Sequence, residues 1–199
     1  MSTATKPAIA DKRTVILDTM LSLITTNGFH ATPMSLLAQQ AGVSAGIIYH
    51  YFDGKETLIN ELYVVVKQRM GNALLATDNP QAGYQFRFFH FWQNLYTYFI
   101  ENPKDFYFLE QYANSPYILQ QTKENNQQAY LPVILFLEEG RQQGLLKNLP
   151  VELITALTYG AVVATAKLHL SGDLSITPMY LQAAVQASWD SVKAEYNNF

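Results

Sequence analysis

Two sets of residues in this chain carry recognition chemistry. The first lies in one short run. Ala45 and Ile47 present apolar surface suited to thymine methyl groups, and Tyr49 and His50 add hydrogen-bonding groups suited to base edges in a major groove. Gly46 sits among them, and none of the five is acidic. Thr32, Ser44, Tyr51 and Lys55 flank them with hydroxyls and an ammonium, groups that fix register on phosphate oxygens. The second set is aromatic: Phe88, Trp92, Tyr96 and Phe99 recur at helical spacing, and Phe106, Tyr107 and Glu110 follow. Stiff rings converging on one centre leave gaps that a flat or greasy molecule fills, and a carboxylate among ring faces suits a cation. The same stripe also serves as a plain aromatic core, and Glu110 also suits an ion pair with Arg87 or contact with water. Catalytic patterns are missing. There is no cysteine and no G-x-G-x-x-G, G-x-S-x-G or H-E-x-x-H run, and His30, His50, His90 and His169 are scattered. The expectation is a binding protein without cofactor or metal, not an enzyme.

Helices must position both sets. Thr32-Pro33 reads as a helix start, with a capping hydroxyl and a proline that has no N–H to lose. Met34 to Ala41 forms a short helix, Gly42 ends it in a left-handed turn, and Ser44 caps a second helix, Ala45 to Phe52. Ile48 and Phe52, one turn apart, point inwards and leave Ala45, Gly46, Ile47, Tyr49 and His50 outside. Two short helices joined by a glycine-containing turn describe a helix-turn-helix, whose second helix enters the major groove. A helix over 11–26, with Ile16, Met20, Leu23 and Ile24 as its apolar stripe, braces the pair; its Arg13 suits phosphate or water. Downstream, the pattern predicts a helix from Lys55 towards Ala76 and an aromatic helix over 81–101, apolar nearly all round and hence central. A helix after Asn102-Pro103 comes next, then one from Ser115-Pro116 to Gly144 with a polar insertion at 120–128 and a kink or split at Pro132. Helices at 151–170 and 179–196 complete an all-α fold. The predicted division is a helix-turn-helix domain over 1–54 and a larger helical domain over 55–199.

The run A-G-V-S-A-G-I-I-Y-H-Y-F-D-G-K-E-T-L, residues 41–58, resembles the signature of the TetR family of bacterial transcriptional repressors, A-G-V-S-x-G-x-x-Y-x-Y-F-x-x-K-E-x-L. Gly28-Phe29, Thr32 and Leu37-Ala38 match the upstream G-F-x-x-T-T-x-x-I-A, with Leu37 for isoleucine. Pro33 departs where a second hydroxyl is usual, and Gly54 where serine is common. The resemblance implies a homodimer on a near-palindromic operator in double-stranded DNA, its recognition helices about 34–36 Å apart. It also implies a regulatory domain that usually holds a small effector, with the sixth helix and its junction with the fourth relaying the signal. An apolar or aromatic effector, cationic as one option, would release the repressor.

Charge and composition temper this picture. A net charge of -3 is unusual for a nucleic-acid binder, and among the first sixty residues Lys6, Lys12, Arg13 and Lys55 are offset by Asp11, Asp18, Asp53 and Glu56. Salt dependence should therefore be shallow. The first thirteen residues have no apolar core of a signal peptide and read as a mobile arm up to Asp11, and no run of about 18 apolar residues is visible. A soluble, cytoplasmic protein with no membrane partner is expected. Small residues cluster at Ala156, Gly160, Ala161, Ala164 and Thr165, and again at Ala183, Ala184, Ala187 and Ser188. Small side chains let helix axes approach, either in a four-helix dimer interface or inside one chain. The second functional reading is a helical small-molecule- or protein-binding module without DNA affinity.

Overall fold

The computed structural model describes residues 11–117 and 130–195. Those residues form nine α-helices, and their only extended pairing is a single antiparallel bridge between Leu146 and Lys193. In chain order the helices are α1 (Lys12–Asn27), α2 (Met34–Ala41), α3 (Ala45–Tyr51), α4 (Lys55–Leu74), α5 (Tyr84–Glu101), α6 (Pro103–Tyr112), α7 (Leu131–Gln142), α8 (Val151–Ser171) and α9 (Pro178–Val192). The all-α expectation holds. The expected arm before Asp11 and the polar insertion at 120–128 lie outside the described residues.

The chain divides into two compact units, Met1–Val65 with Lys104–Leu119, and Val66–Pro103 with Gln120–Phe199. This grouping cuts the chain elsewhere than between 54 and 55, because the start of α4 and nearly all of α6 fold with the N-terminal helices. Phe108 of α6 lies 6.2 Å from the Phe29 ring, and Tyr63 stacks on Tyr112 at 4.1 Å. Tyr112 Oη also donates to Asn60 Oδ1 at 2.6 Å, so a hydrogen bond reinforces the ring packing.

In this first unit α1 buries Ile16, Leu17, Met20, Leu21 and Ile24 and packs on α2 and α3. Leu23, expected in that stripe, is only partly buried. The start of α2 differs from expectation. Pro33, not Thr32, occupies the capping position and makes no side-chain cap, while the Thr32 hydroxyl turns back and donates to Gly28 O at 2.8 Å.

The second unit is built on α5, which packs on α8 and α9; α8 also packs on α7 and α9. Seven residues of α5 are buried: Phe88, Phe91, Trp92, Leu95, Tyr96, Tyr98 and Phe99. Phe86 is 66% exposed, so α5 is not apolar-buried all round. Two positions from Phe88 it falls on the far side of the helix, where the His90 ring stacks beside it at 6.4 Å and most of it stays in solvent. Pro132 sits in the first turn of α7, where its missing N–H leaves no bond unmade, so a helix begins there instead of bending. Gly140 of α7 makes room for Tyr84, whose phenol a Cβ at that position would overlap. Tyr84 Oη donates to Phe136 O at 3.0 Å and its ring stacks on Phe136 at 4.2 Å. Arg87 binds both carboxylate oxygens of Asp78, at 2.9 and 2.8 Å, and so pins the loop before α5 to that helix.

α8 holds no unbroken run of about 18 apolar residues, in keeping with expectation, but its mean composition is apolar. By length and composition it could cross a membrane, with a mean hydropathy of 1.4 over 18 residues, of which 17% are buried. Its inner face, Ile154, Val162 and Ala166, is packed in the unit, and it carries Glu152 and Lys167, so we read it as an amphipathic helix with a wide apolar outer face.

Candidate nucleic-acid interface and effector cavity

The turn between α2 and α3 follows from local chemistry. Gly42 takes a left-handed φ of 65°, which costs glycine nothing, and its N–H bonds back to the end of α2. Ser44 Oγ then accepts from Ile47 N at 3.4 Å, capping α3. Ile48 and Phe52 are buried at 0% and 1% exposure, which anchors α3 by its inner face. The opposite face is left in solvent: Ala45, Gly46, His50 and Tyr51 are exposed, Tyr49 is 55% exposed, and Ile47 is partly so. His50 and Tyr51 rings meet edge-on at 5.2 Å. An apolar, hydrogen-bonding surface with no acid is thus held on a rigid helix pair.

The flanking groups are placed less simply. Thr32 is fully buried with its hydroxyl engaged, so that hydroxyl is not offered to a phosphate. Lys55 Nζ donates to Phe29 O at 2.5 Å, tying the start of α4 to the α1–α2 connection, and burial lowers its pKa from the ordinary lysine value. An ammonium has three N–H donors, so this bond leaves others for a phosphate. Arg13 contacts the Glu61 carboxylate and lies over the Phe52 ring at 5.6 Å, an internal brace.

A cavity of about 310 Å³ opens in the second unit, walled by residues of α4, α5, α7 and α8 together with Tyr130. Of the seven aromatic-set residues expected to bind a ligand, Phe88 and Trp92 line it. Tyr96 Oη bonds His169 Nδ1 at 2.5 Å instead, and the Phe99 ring meets Tyr159 edge-on at 6.4 Å. Phe106, Tyr107 and Glu110 belong to the other unit, where Phe106 is buried and Tyr107 is 40% exposed. The polar members of the wall were not foreseen: Lys67, Tyr130, Glu152, Thr155, Thr158 and Tyr159. Their only signal in the chain is that Lys67 closes an apolar run, Val64-Val65-Val66, where a charge sits at the edge of a buried stripe.

Lys67 is the unusual group. Burial pushes its pKa down to about 8, with no neighbouring charge contributing. Its ammonium lies 4.4 Å from the centre of the Tyr130 ring, a cation–π contact. The indole N–H of Trp92 is buried and has no acceptor.

Among the described residues, a helix-turn-helix near the N-terminus and a helical unit with a largely apolar cavity make the architecture of a helix-turn-helix DNA-binding protein. The family model "Bacterial regulatory proteins, tetR family" matches residues 16–62, and "Tetracyclin repressor-like, C-terminal domain" matches residues 84–193. The chain belongs to the TetR family. An HTH-type transcriptional regulator of Haemophilus influenzae is 25% identical over 175 residues, covering 86% of this chain and 90% of that one. Among solved structures, a TetR family transcription regulator from Marinobacter aquaeolei VT8 superposes with a TM-score of 0.86 at 22% identity, covering 92% of this chain and 96% of that one. A TetR-family regulator from Haemophilus influenzae RD gives 0.81 at 23%, covering 94% and 100%. At these identities the two structures speak to the fold.

Proposed function

We propose that this chain is a homodimeric, ligand-responsive repressor, acting in the cytoplasm on a near-palindromic operator and released by a small, largely apolar effector. The observation that carries this reading is the uncovered outer face of α3. Ala45 and Ile47 meet thymine methyls, Tyr49 and His50 bond base edges, and the backbone at Gly46 comes close to the duplex. Ser44, Tyr51 and Lys55 set register on phosphate. Thr32 supports the turn from inside.

Dimerisation through α8 and α9 is supported by apolar residues standing in solvent on these helices: Leu153, Leu157, Leu168, Met179 and Tyr180 are 41–68% exposed. Ala156, Gly160 and Ala164 are exposed beside them on α8, and Ala183 and Ala187 on α9, small residues that let a second copy approach closely. A twofold axis makes that contact isologous. The cavity in the second unit supports effector binding. α4 begins in the unit that holds α3 and ends with Lys67, Met70 and Leu74 in the cavity wall, so an effector that shifts α4 alters the spacing of the two recognition helices. Only an effector that binds the two spacings with different affinity does this.

Fluorescence anisotropy with a labelled random-sequence duplex tests the reading. The wild type should bind, and Ala45→Glu should not. A wild type that ignores both duplex and heparin would replace it with a helical binding module lacking DNA affinity.

A further inference from the structure

The chemistry of the cavity wall narrows the effector beyond "apolar". Lys67 contributes N–H donors and no acceptor, and among the described residues it has no ion-pair partner. Its nearest company, the Tyr130 ring, attracts a cation without neutralising it. Trp92 lines the wall with its ring, while its indole N–H is buried without an acceptor and offers no surface to the cavity. The hydroxyls of Thr155 and Thr158 already donate to Val151 O at 2.7 Å and Ile154 O at 2.9 Å, so neither offers a free proton. Glu152 is the one carboxylate in the wall. It is exposed to solvent and acts electrostatically on Arg141. Among the described residues the wall therefore presents one cation without a counter-charge, Lys67, in a largely apolar surface. A group that brings negative oxygens answers it; a neutral molecule leaves Lys67 unpaired, and a cation adds like charge to it.

We propose that this cavity is a site for an apolar monocarboxylate, with its carboxylate on Lys67 and its hydrocarbon body against Phe88, Trp92, Phe136 and Tyr159. The proposal rests on the effector-binding reading above and reverses the cationic preference that Glu110 suggested. A cavity of about 310 Å³ admits a medium-chain acid, and octanoate serves as the probe.

The test titrates the full chain with octanoate, 1-octanol and octylammonium, followed by calorimetry and by Trp emission. Octanoate should bind at least tenfold tighter than either of the others. Lys67→Met, which keeps the length of the side chain, should lose tenfold or more for octanoate while holding or gaining affinity for octanol. Octanol binding as tightly as octanoate, Lys67→Met within twofold of wild type, or no binding by any of the three would overturn the proposal. Duplex affinity of the unliganded chain is measured separately. A chain that binds octanoate but no DNA keeps this site and loses the repressor reading; one that binds DNA but ignores octanoate does the reverse.

Discussion

The outer face of α3 and the cavity of the second unit are both recognition surfaces, yet they are assembled in opposite ways. The α3 face comes from seven consecutive residues held by one glycine turn, one serine cap and two buried anchors, Ile48 and Phe52. The cavity wall draws on residues between Lys67 and Val162, from four helices and a helix-capping tyrosine. The face must stand in water until DNA covers it, so it carries no unanswered charge and costs the fold little. The cavity holds a cation that has no counter-ion among the described residues, which costs stability that a ligand can return. A surface that only needs presenting can be written locally, whereas one that needs enclosing depends on the whole unit.

The largest effect expected separates the two regions outright. Ala45→Glu places an acid on the α3 face but in the first turn of the helix, where the dipole favours it. Duplex affinity should fall about 100-fold or more through repulsion by phosphate, while the thermal midpoint and octanoate binding stay unchanged. Gly140→Ala is the converse. The added methyl drives into Tyr84, an overpacking cost of about 1–3 kcal/mol that should lower the melting temperature by roughly 2–10 °C. Octanoate binding should weaken with it, because Tyr84 stacks on the wall residue Phe136, and the α3 face should retain its intrinsic duplex contacts.

Lys67→Met sharpens the contrast in enclosed charge. Replacing an unpaired, partly buried ammonium by an apolar chain of similar length should raise the melting temperature by about 2–6 °C at pH 7 while the carboxylate response is lost. The sign follows from linkage. Lys67 has a folded-state pKa near 8, below the ordinary lysine value of 10.5, so between those values the unfolded chain binds more protons. The folded state is therefore penalised fully below pH 8 and relieved as pH rises towards 10.5, a slope that Lys67→Met should remove. Octanoate affinity should run the other way, level below pH 8 and falling above it as the ammonium deprotonates. Burial also raises the pKa of Tyr130, whose ring faces Lys67, and Glu152 stands exposed in the same wall.

Lys55→Ala should have the smallest effect and bears on the α3 side alone. Loss of the bond to Phe29 O should cost about 1 kcal/mol of stability. If Lys55 also touches phosphate, the salt dependence of duplex binding drops by about one in slope; if it is only a tie between α4 and the α1–α2 connection, the slope is unchanged.

What could be read in advance divides along the same line. Gly42, Ser44 and Thr177 do what their types announce: a left-handed turn and two side-chain caps, with Thr177 Oγ1 accepting from Tyr180 N at 3.3 Å. Each needs only neighbours within a few positions. Thr32 misled because a hydroxyl before a proline has two acceptable uses, and the buried carbonyl of Gly28 offered the better one. Phe106, Tyr107 and Glu110 were grouped with α5 because they follow it closely, but α6 packs with Phe29 and the start of α4. Lys67 drew no reading from the sequence, since nothing near it in the chain announces Tyr130 sixty-three positions on.

Residue order alone settled the helical class, the capping residues, the α3 face and the family signature, because each of these depends on spacing over one or two helical turns. Packing settled which rings surround a cavity, which cation is left without a counter-charge, and that Thr32 and Arg13 are internal supports. Those outcomes depend on residues far apart in the chain meeting in space, and short-range periodicity carries no information about which distant helix a given face will meet.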